Sequence, residues 1–330
     1  MTIEVVPFTE DAAREWDRLC EESVNGTLLH TRRFLSYHGE RFKDASLLLY
    51  AAGQLCGVLP AAARRDDPQL VASHPGATYG GIVHDGWLAG NRMVEALATA
   101  CTHFRKLGFR ALAYRPVPHI YAMRPAQDDL YALMRLGATR ERCDISCTID
   151  LACRGPISER RRRGFKKASR SASISHDIGL LPALWAVLED NLARKHDAEP
   201  VHSLEEITLL QSRFPSGIRL CCALVDGNVE AGVVMFNSRN VWHAQYIASS
   251  ERGYACSALD AVFEGIIAEA ARSGARYFDF GTSNEAGGTI LNDGLYRFKH
   301  EFGGGGVAHE FYRLNLETVP AITTTPTTSH

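Results

Sequence analysis

A lysine among aromatic residues marks the first place where this sequence could do chemistry. Lys299 sits in Phe298-Lys299-His300-Glu301-Phe302-Gly303, where an ammonium could steady the charge of an oxyanion. The plainer reading is a surface lysine whose stem lies along Phe298 or Phe302. Upstream, Tyr277-Phe278-Asp279-Phe280-Gly281 places an acid in an apolar strand. The small and polar residues that follow, through Glu285 to Asn292, suit a site at the C-terminal edge of a sheet. His243, Gln245 and Tyr246 are expected on one face of the strand 241–249. A histidine titrating near neutrality, or a carboxylate, could take the proton of an attacking amine, which nominates His243 or Asp279. Arg194, Lys195 and His202 lie between two helices and are candidates for the phosphates of an acceptor, while His119 and Tyr121 follow the turn Arg115-Pro116-Val117-Pro118. Each could equally be a structural hydrogen-bonding group.

A second feature is the strand-to-helix junction Ser250-Glu251-Arg252-Gly253-Tyr254-Ala255-Cys256-Ser257. Small residues at such a turn can present free backbone N–H groups at the positive end of a helix, a cradle for pyrophosphate. An ordinary tight turn is the alternative. A third is the basic run Arg160, Arg161, Arg162, Arg163, Lys166, Lys167 and Arg170, which no acid interrupts. It suits either a solvated helix face or a phosphate-binding surface.

The elements that must position these residues come in two similar series. Apolar runs 47–52 and 55–62 flank Gly53-Gln54, a helix is expected from about Trp87 to Lys106, and Phe109–Tyr114 reads as a strand. Later, 218–225 and 229–236 flank Asp226-Gly227-Asn228, a hairpin signal; a helix from about Ser257 to Arg272 and a strand Arg276–Phe280 follow. This order lacks the strict alternation of a doubly wound sheet, so duplication of an α+β type of α/β unit, with mixed sheets flanked by helices, is the better expectation. A first helix from Glu10 to Glu22 is expected to use Thr9 as its cap, Gly303–Gly306 reads as a flexible link into a last strand near 307–316, and 317–330 as a disordered tail.

With 330 residues, 45% of them hydrophobic, the chain is long for one core and comfortable for two. A net charge of −2 argues against a protein devoted to coating nucleic acid. The nine cysteines are scattered, odd in number and without a CxxC, so buried thiols are expected and no metal. No long apolar stretch spans a bilayer, and the acidic start MTIEVVPFTED lacks secretory features, so a cytoplasmic protein is expected.

The series Tyr79-Gly80-Gly81, Arg161–Ala168, Tyr277–Gly281 and Phe298-Lys299-x-x-Phe302-Gly303 resembles the Fem-type family of tandem acetyltransferase-fold (GNAT) acyl- and peptidyltransferases. The likeness spans roughly residues 1–316 and implies two GNAT-like domains in tandem, 1–150 and 151–306, with the last strand packing back onto the first. Ser250-x-x-Gly253-x-Ala255 is similar to the pyrophosphate loop of acetyltransferases, departing from it at Ser250. By this resemblance Ser250, Arg252, Gly253, Ala255 and Ser257, with Asn292, would hold the cofactor. Phe298 and Lys299 would lie at the acyl-transfer centre. Tyr79, His119, Tyr121, Arg194, Lys195, His202, Tyr246 and Glu285 would meet the acceptor. The function implied is transfer of an acetyl group from acetyl-CoA to an amine, on a small molecule or a nucleotide-linked sugar, without an acyl-enzyme. An aminoacyl-tRNA-dependent peptidyltransferase of peptidoglycan bridge formation is the alternative. A non-catalytic nucleic-acid or membrane-surface binder built on 160–170 is a third, disfavoured because only Phe165 interrupts the basic residues as a stacking platform.

Overall fold

The structure, a computed structural model, describes residues 2–196 and 199–320, the side chains of Lys195 and His196 excepted. The chain forms two compact units. One runs to Cys143 and resumes at His309; the other spans Asp144–Ala308. The division expected at 150/151 therefore falls inside the second unit, because the end of one long strand already pairs there.

In the first unit the order is β1 (Ile3–Pro7), α1 (Ala13–Glu22), α2 (Arg32–Leu35), β2 (Lys43–Asp44), β3 (Leu47–Ala51), β4 (Gln54–Leu59), β5 (Ala62–Ala63), β6 (Leu70–Ala72), β7 (Val83–His84), α3 (Asn91–Lys106), β8 (Ala111–Tyr114) and α4 (Asp128–Arg135). One sheet has the order β1-β3-β4-β7, all antiparallel. A second places β8 beside β6, parallel, with β5 and β2 beyond. On α3 the buried residues Met93, Leu97, Ala100, Cys101 and Phe104 recur at helical spacing and close the core against Leu47, Leu49 and Leu112. Thr9 makes no side-chain cap; Glu10–Ala12 is a 3₁₀ turn before α1.

The strand β9 (Thr139–Asp150) leads into the second unit. There follow α5 (Glu159–Ala168), β10 (Ser173–Ser175), α6 (Leu181–His196), α7 (Leu204–Arg213), β11 (Ile218–Val225), β12 (Asn228–Asn237), β13 (Val241–Ser249), α8 (Glu251–Cys256), α9 (Ala258–Arg272), β14 (Tyr277–Thr282), the small hairpin β15 (Asn284–Glu285) and β16 (Ile290–Leu291), and α10 (Asp293–His300). The sheet order is β10-β11-β12-β13-β14-β9. Every neighbouring pair is antiparallel except β13 and β14, which are parallel. Helix α9 buries Val262, Phe263, Ile266 and Ala270 against Phe278, Phe280 and Phe302. The last strand, β17 (Gly305–Asn315), lays Tyr312–Asn315 antiparallel to β8. Leu316 and Val319 continue into the first unit's core, so order extends past the expected start of the tail; residues 321–330 lie outside those described.

The glycines 303–306 are not a loose link. A Cβ on Gly303 would stand 2.3 Å from Gly155 O, and one on Gly304 2.9 Å from Cys147 Sγ and 3.0 Å from Thr148 O, so at these two positions the chain runs too close to its neighbours for a side chain to fit without a shift.

The hairpins β3–β4 and β11–β12 are built alike. Each turns on two residues with positive φ, Ala52 and Gly53 in one, Asp226 and Gly227 in the other, as a two-residue hairpin turn requires. Each then carries a bulge at the same offset, Cys56 lying between the pairs Tyr50↔Leu55 and Leu49↔Gly57, and Glu230 between Leu224↔Val229 and Ala223↔Ala231. A shared turn and a shared bulge, each followed by a strand, a helix and another strand, are the repetition that the residue types carry only weakly.

Candidate active site

The parallel strands β13 and β14 pair over only three positions, ending at His243↔Asp279. Both strands bulge just past that point. Gln245 is extra on β13 relative to β12, and Phe280-Gly281 interrupts the pairing of β14 with β9. Bulges bend a strand and end its ladder, so β13 and β14 share no further ladder pairs. Gly281 takes φ +78°, and a Cβ there would lie 3.3 Å from His243 Cε1.

At this parting the side chains form one network. Asp279 is fully buried, and its Oδ1 accepts hydrogen bonds from Ser146 Oγ and, at 2.8 Å, from Thr148 Oγ1. Its Oδ2 is 2.7 Å from His243 Nδ1. A carboxylate only accepts, so Nδ1 carries the proton and the lone pair of a neutral imidazole is left on Nε2. Lys299, 3% exposed, donates to Gly281 O at 3.0 Å and Thr282 O at 2.7 Å, the carbonyls beside the bulge. An ammonium has three donors, so one N–H remains. Burial pulls the Lys299 pKa down to about 8, with the charge of Asp279 opposing it. Burial likewise pushes the neighbouring Cys147 thiol up to about 12, which leaves it protonated and inert at neutral pH. The surface-lysine reading of Lys299 is therefore wrong: α10 turns it inward, and the arrangement offers a base and an oxyanion donor on either side of Gly281.

A cleft of about 380 Å³ lies in the same unit, lined by Arg160, Arg163, Lys167, Tyr254, Ser257 and Phe298 among others. The α5 cations at 160, 163 and 167 share one helix face, and Lys167 Nζ also donates to Ala255 O at 2.6 Å. Helix α5 reaches α9 so closely that a Cβ on Gly164 would meet Asp260 Oδ2 at 2.6 Å.

Residues 153–300 match the acetyltransferase (GNAT) domain family. The whole chain shares its fold with several solved structures. FemX aligns over 94% of this chain and 96% of its own, with 12% identity and a TM-score of 0.68. The structure of L-PGS from Bacillus licheniformis covers 92% and 91%, at 10% identity and a TM-score of 0.60. A tandem GNAT protein from the clavulanic acid biosynthesis pathway covers 97% and 100%, at 13% and 0.52. Identities this low carry the fold alone. No curated protein sequence matches the chain.

Within the matched region, the loop after β13 differs from an open cradle. Ser250 caps α8: its Oγ accepts from Gly253 N at 2.9 Å and donates to Glu230, while Tyr254 N goes to Ser250 O. Two of the amides expected to face a pyrophosphate are thus spent, and Gly253 is required because a Cβ would sit 2.2 Å from Glu230 O. Ser257, at φ +63°, breaks α8 from α9 and lines the cleft. Arg252 pairs with Asp226, Ala255 is exposed, and Asn292 caps α10 through Leu295 N while bonding Glu285 at 2.7 Å.

The other expected contacts divide. The Gln245 bulge leaves Tyr246 on the same face of β13 as His243, and there Tyr246 packs on Trp185 and bonds His202. Arg194 is held by Asp190 at 2.7 Å and Glu251 at 2.9 Å, so a phosphate there would compete with two carboxylates. The Lys195 side chain lies outside the described residues. In the first unit Tyr79 and Tyr121 do come together, ring centres 4.5 Å apart and both buried, with His119 exposed beside them. Sequence reasoning missed Ser146 and Thr148, whose signal was the alternation Ser146, Thr148, Asp150 on β9, and the burial of Arg161.

Among the described residues no helix is long and apolar enough to cross a membrane, and no three His, Cys, Asp or Glu side chains group as metal ligands.

Proposed function

We propose that the protein is an N-acyltransferase that moves an acyl group from a phosphate-bearing donor to an amine by direct attack. The observation that carries this reading is the Asp279–His243 pair beside buried Lys299 where β13 and β14 part. The amine nitrogen attacks the donor carbonyl, and His243 Nε2 takes its proton. The remaining N–H of Lys299 donates to the carbonyl oxygen as it gains charge. Collapse of the tetrahedral intermediate expels the donor's thiolate or ribose oxygen, which takes the proton back from the imidazolium. Asp279 holds the ring in the tautomer this requires and stabilises the charged form, the part a buried carboxylate plays in a triad.

Acetyl-CoA is the donor to test first, its phosphates lying against Arg160, Arg163 and Lys167, and an amino sugar carried on a nucleotide the acceptor class. A second reading, an aminoacyl ester on tRNA, is favoured by the amides of Gly253 and Tyr254 being spent within α8, which leaves the cationic face of α5 as the phosphate contact. Titration calorimetry of acetyl-CoA and CoA at moderate salt tests the choice. Saturable micromolar binding establishes the coenzyme. Absence of heat with either, together with retention of aminoacyl-tRNA on a gel, moves the donor to tRNA. Binding of neither removes the reading.

A further inference from the structure

Helix α10 carries Phe298 towards the cleft and Lys299 towards Asp279, so its seat fixes both. Two arginines from the start of the second unit hold that seat. Arg154 Nε donates to Phe302 O at 2.9 Å while its Nη2 reaches Glu264 at 2.6 Å. Arg161, 6% exposed, donates through Nε to Glu301 Oε2 at 2.9 Å and through Nη1 to Asp260 Oδ1 at 2.9 Å. Its guanidinium also stacks on the rings of Phe298 and Phe302, 4.8 and 5.6 Å from their centres. Asp260 and Glu264 lie one turn apart on α9, and Glu301 and Phe302 lie at the end of α10. The two arginines therefore bridge the same two helices, and Arg161 grips the residues on either side of Lys299.

We infer that Arg161 is a positioning residue, which through Glu301, Phe298 and Phe302 holds Lys299 against the Gly281 and Thr282 carbonyls and closes it from water. Burying a paired arginine is costly and often matches no more than a hydrophobic replacement in stability, so its planar fork is explained by geometry rather than by strength. Lys167 and Phe298 lie on one cleft, and Arg161 sits between them on α5. The groups that face Lys299 are Asp279 on β14 and Cys147 on β9. Arg161 faces Asp260 and Glu301, with Arg160 nearby.

The inference rests on the acyl-transfer reading only for its catalytic consequence, and the test separates the two. Glu301→Ala cuts the side-chain link to α10 and leaves Arg161 paired with Asp260. In the full chain with labelled lysine, NMR titration of Lys299 should show its midpoint rising from about 8 towards the ordinary 10.5 as water reaches the ammonium. Turnover should fall about 10- to 100-fold with donor KM within about threefold, the cost of a small misplacement. Arg161→Lys, which keeps the charge and loses the fork, should move both readings in the same direction. A folded Glu301→Ala or Arg161→Lys protein with an unchanged Lys299 midpoint overturns the positioning role and leaves acyl transfer untouched. A shifted midpoint with full turnover upholds the clamp and removes Lys299 from the chemistry.

Discussion

Asp279→Asn separates the chemistry of the site from its architecture. Both hydroxyl donors, Ser146 and Thr148, bond the same carboxylate oxygen, Oδ1. An asparagine that keeps those two bonds must present its NH₂ group where Oδ2 now faces His243 Nδ1, 2.7 Å away. Nδ1 then has to accept, the ring proton moves to Nε2, and the imidazole has no lone pair to offer the amine. Removing a positioned base costs about 10²- to 10⁴-fold in rate, or about 3–5 kcal/mol of transition-state stabilisation. The fold should survive, because three charge-assisted bonds become neutral ones at about 1 kcal/mol each while the burial of a carboxylate is relieved. A second effect has the same origin. The Asp279 charge is what opposes burial at Lys299, so the lysine pKa drops below about 8 in the variant. Two assays read this: single-turnover acyl transfer at saturating donor across pH, and ¹⁵N NMR of the His243 ring, which reports the tautomer without any substrate. A folded Asp279→Asn protein that turns over within about threefold of the native rate, or whose His243 keeps its proton on Nδ1, would refute the reasoning.

Other outcomes follow from the same geometry. The Lys299 pKa lies below its unfolded value, so the ammonium is lost as pH rises through about 8, and transfer should decline above that pH in a rate profile. Lys299→Ala should depress turnover more than donor affinity and lower thermal stability, since the carbonyls of Gly281 and Thr282 lose their donor at about 1–3 kcal/mol for each group left buried. Cys256→Ala should leave turnover largely intact; its complete loss would point to an acyl-enzyme. Replacing Arg160 and Arg163 together by serine should raise donor KM several-fold with little change in melting temperature, both being exposed cleft residues.

The hairpins, helices α3 and α9 and the strand that carries Asp279 are legible in the sequence because each is written by a local signal: a turn dipeptide, helical spacing, an apolar run closed by glycine. Lys299 and His243 could be nominated by residue type, but not their state. Whether a lysine beside phenylalanine snorkels or turns inward depends on carbonyls that a bulge on another strand leaves unpaired. The same limit hid Ser146 and Thr148, which matter only because β9 lies beside β14. His243 and Tyr246, three residues apart, share a face only because one extra residue, Gln245, reverses the alternation, and bulges leave little trace in composition. The loop 250–257 shows the converse. Its pattern suits a phosphate cradle, yet a serine at the first position turns the amides onto itself.

The duplicated hairpins have a consequence for counting. In the second unit, β12 is followed by β13, and β13 runs parallel with β14 to set His243 opposite Asp279. The strands in the corresponding places of the first unit, β7 and β8, belong to different sheets, and β8 takes β6 as its parallel neighbour. That copy has no β7–β8 ladder, and the β6–β8 ladder pairs only apolar residues, so the repeat is a repeat of architecture and not of chemistry. An active-site titration should therefore find one equivalent of donor per chain.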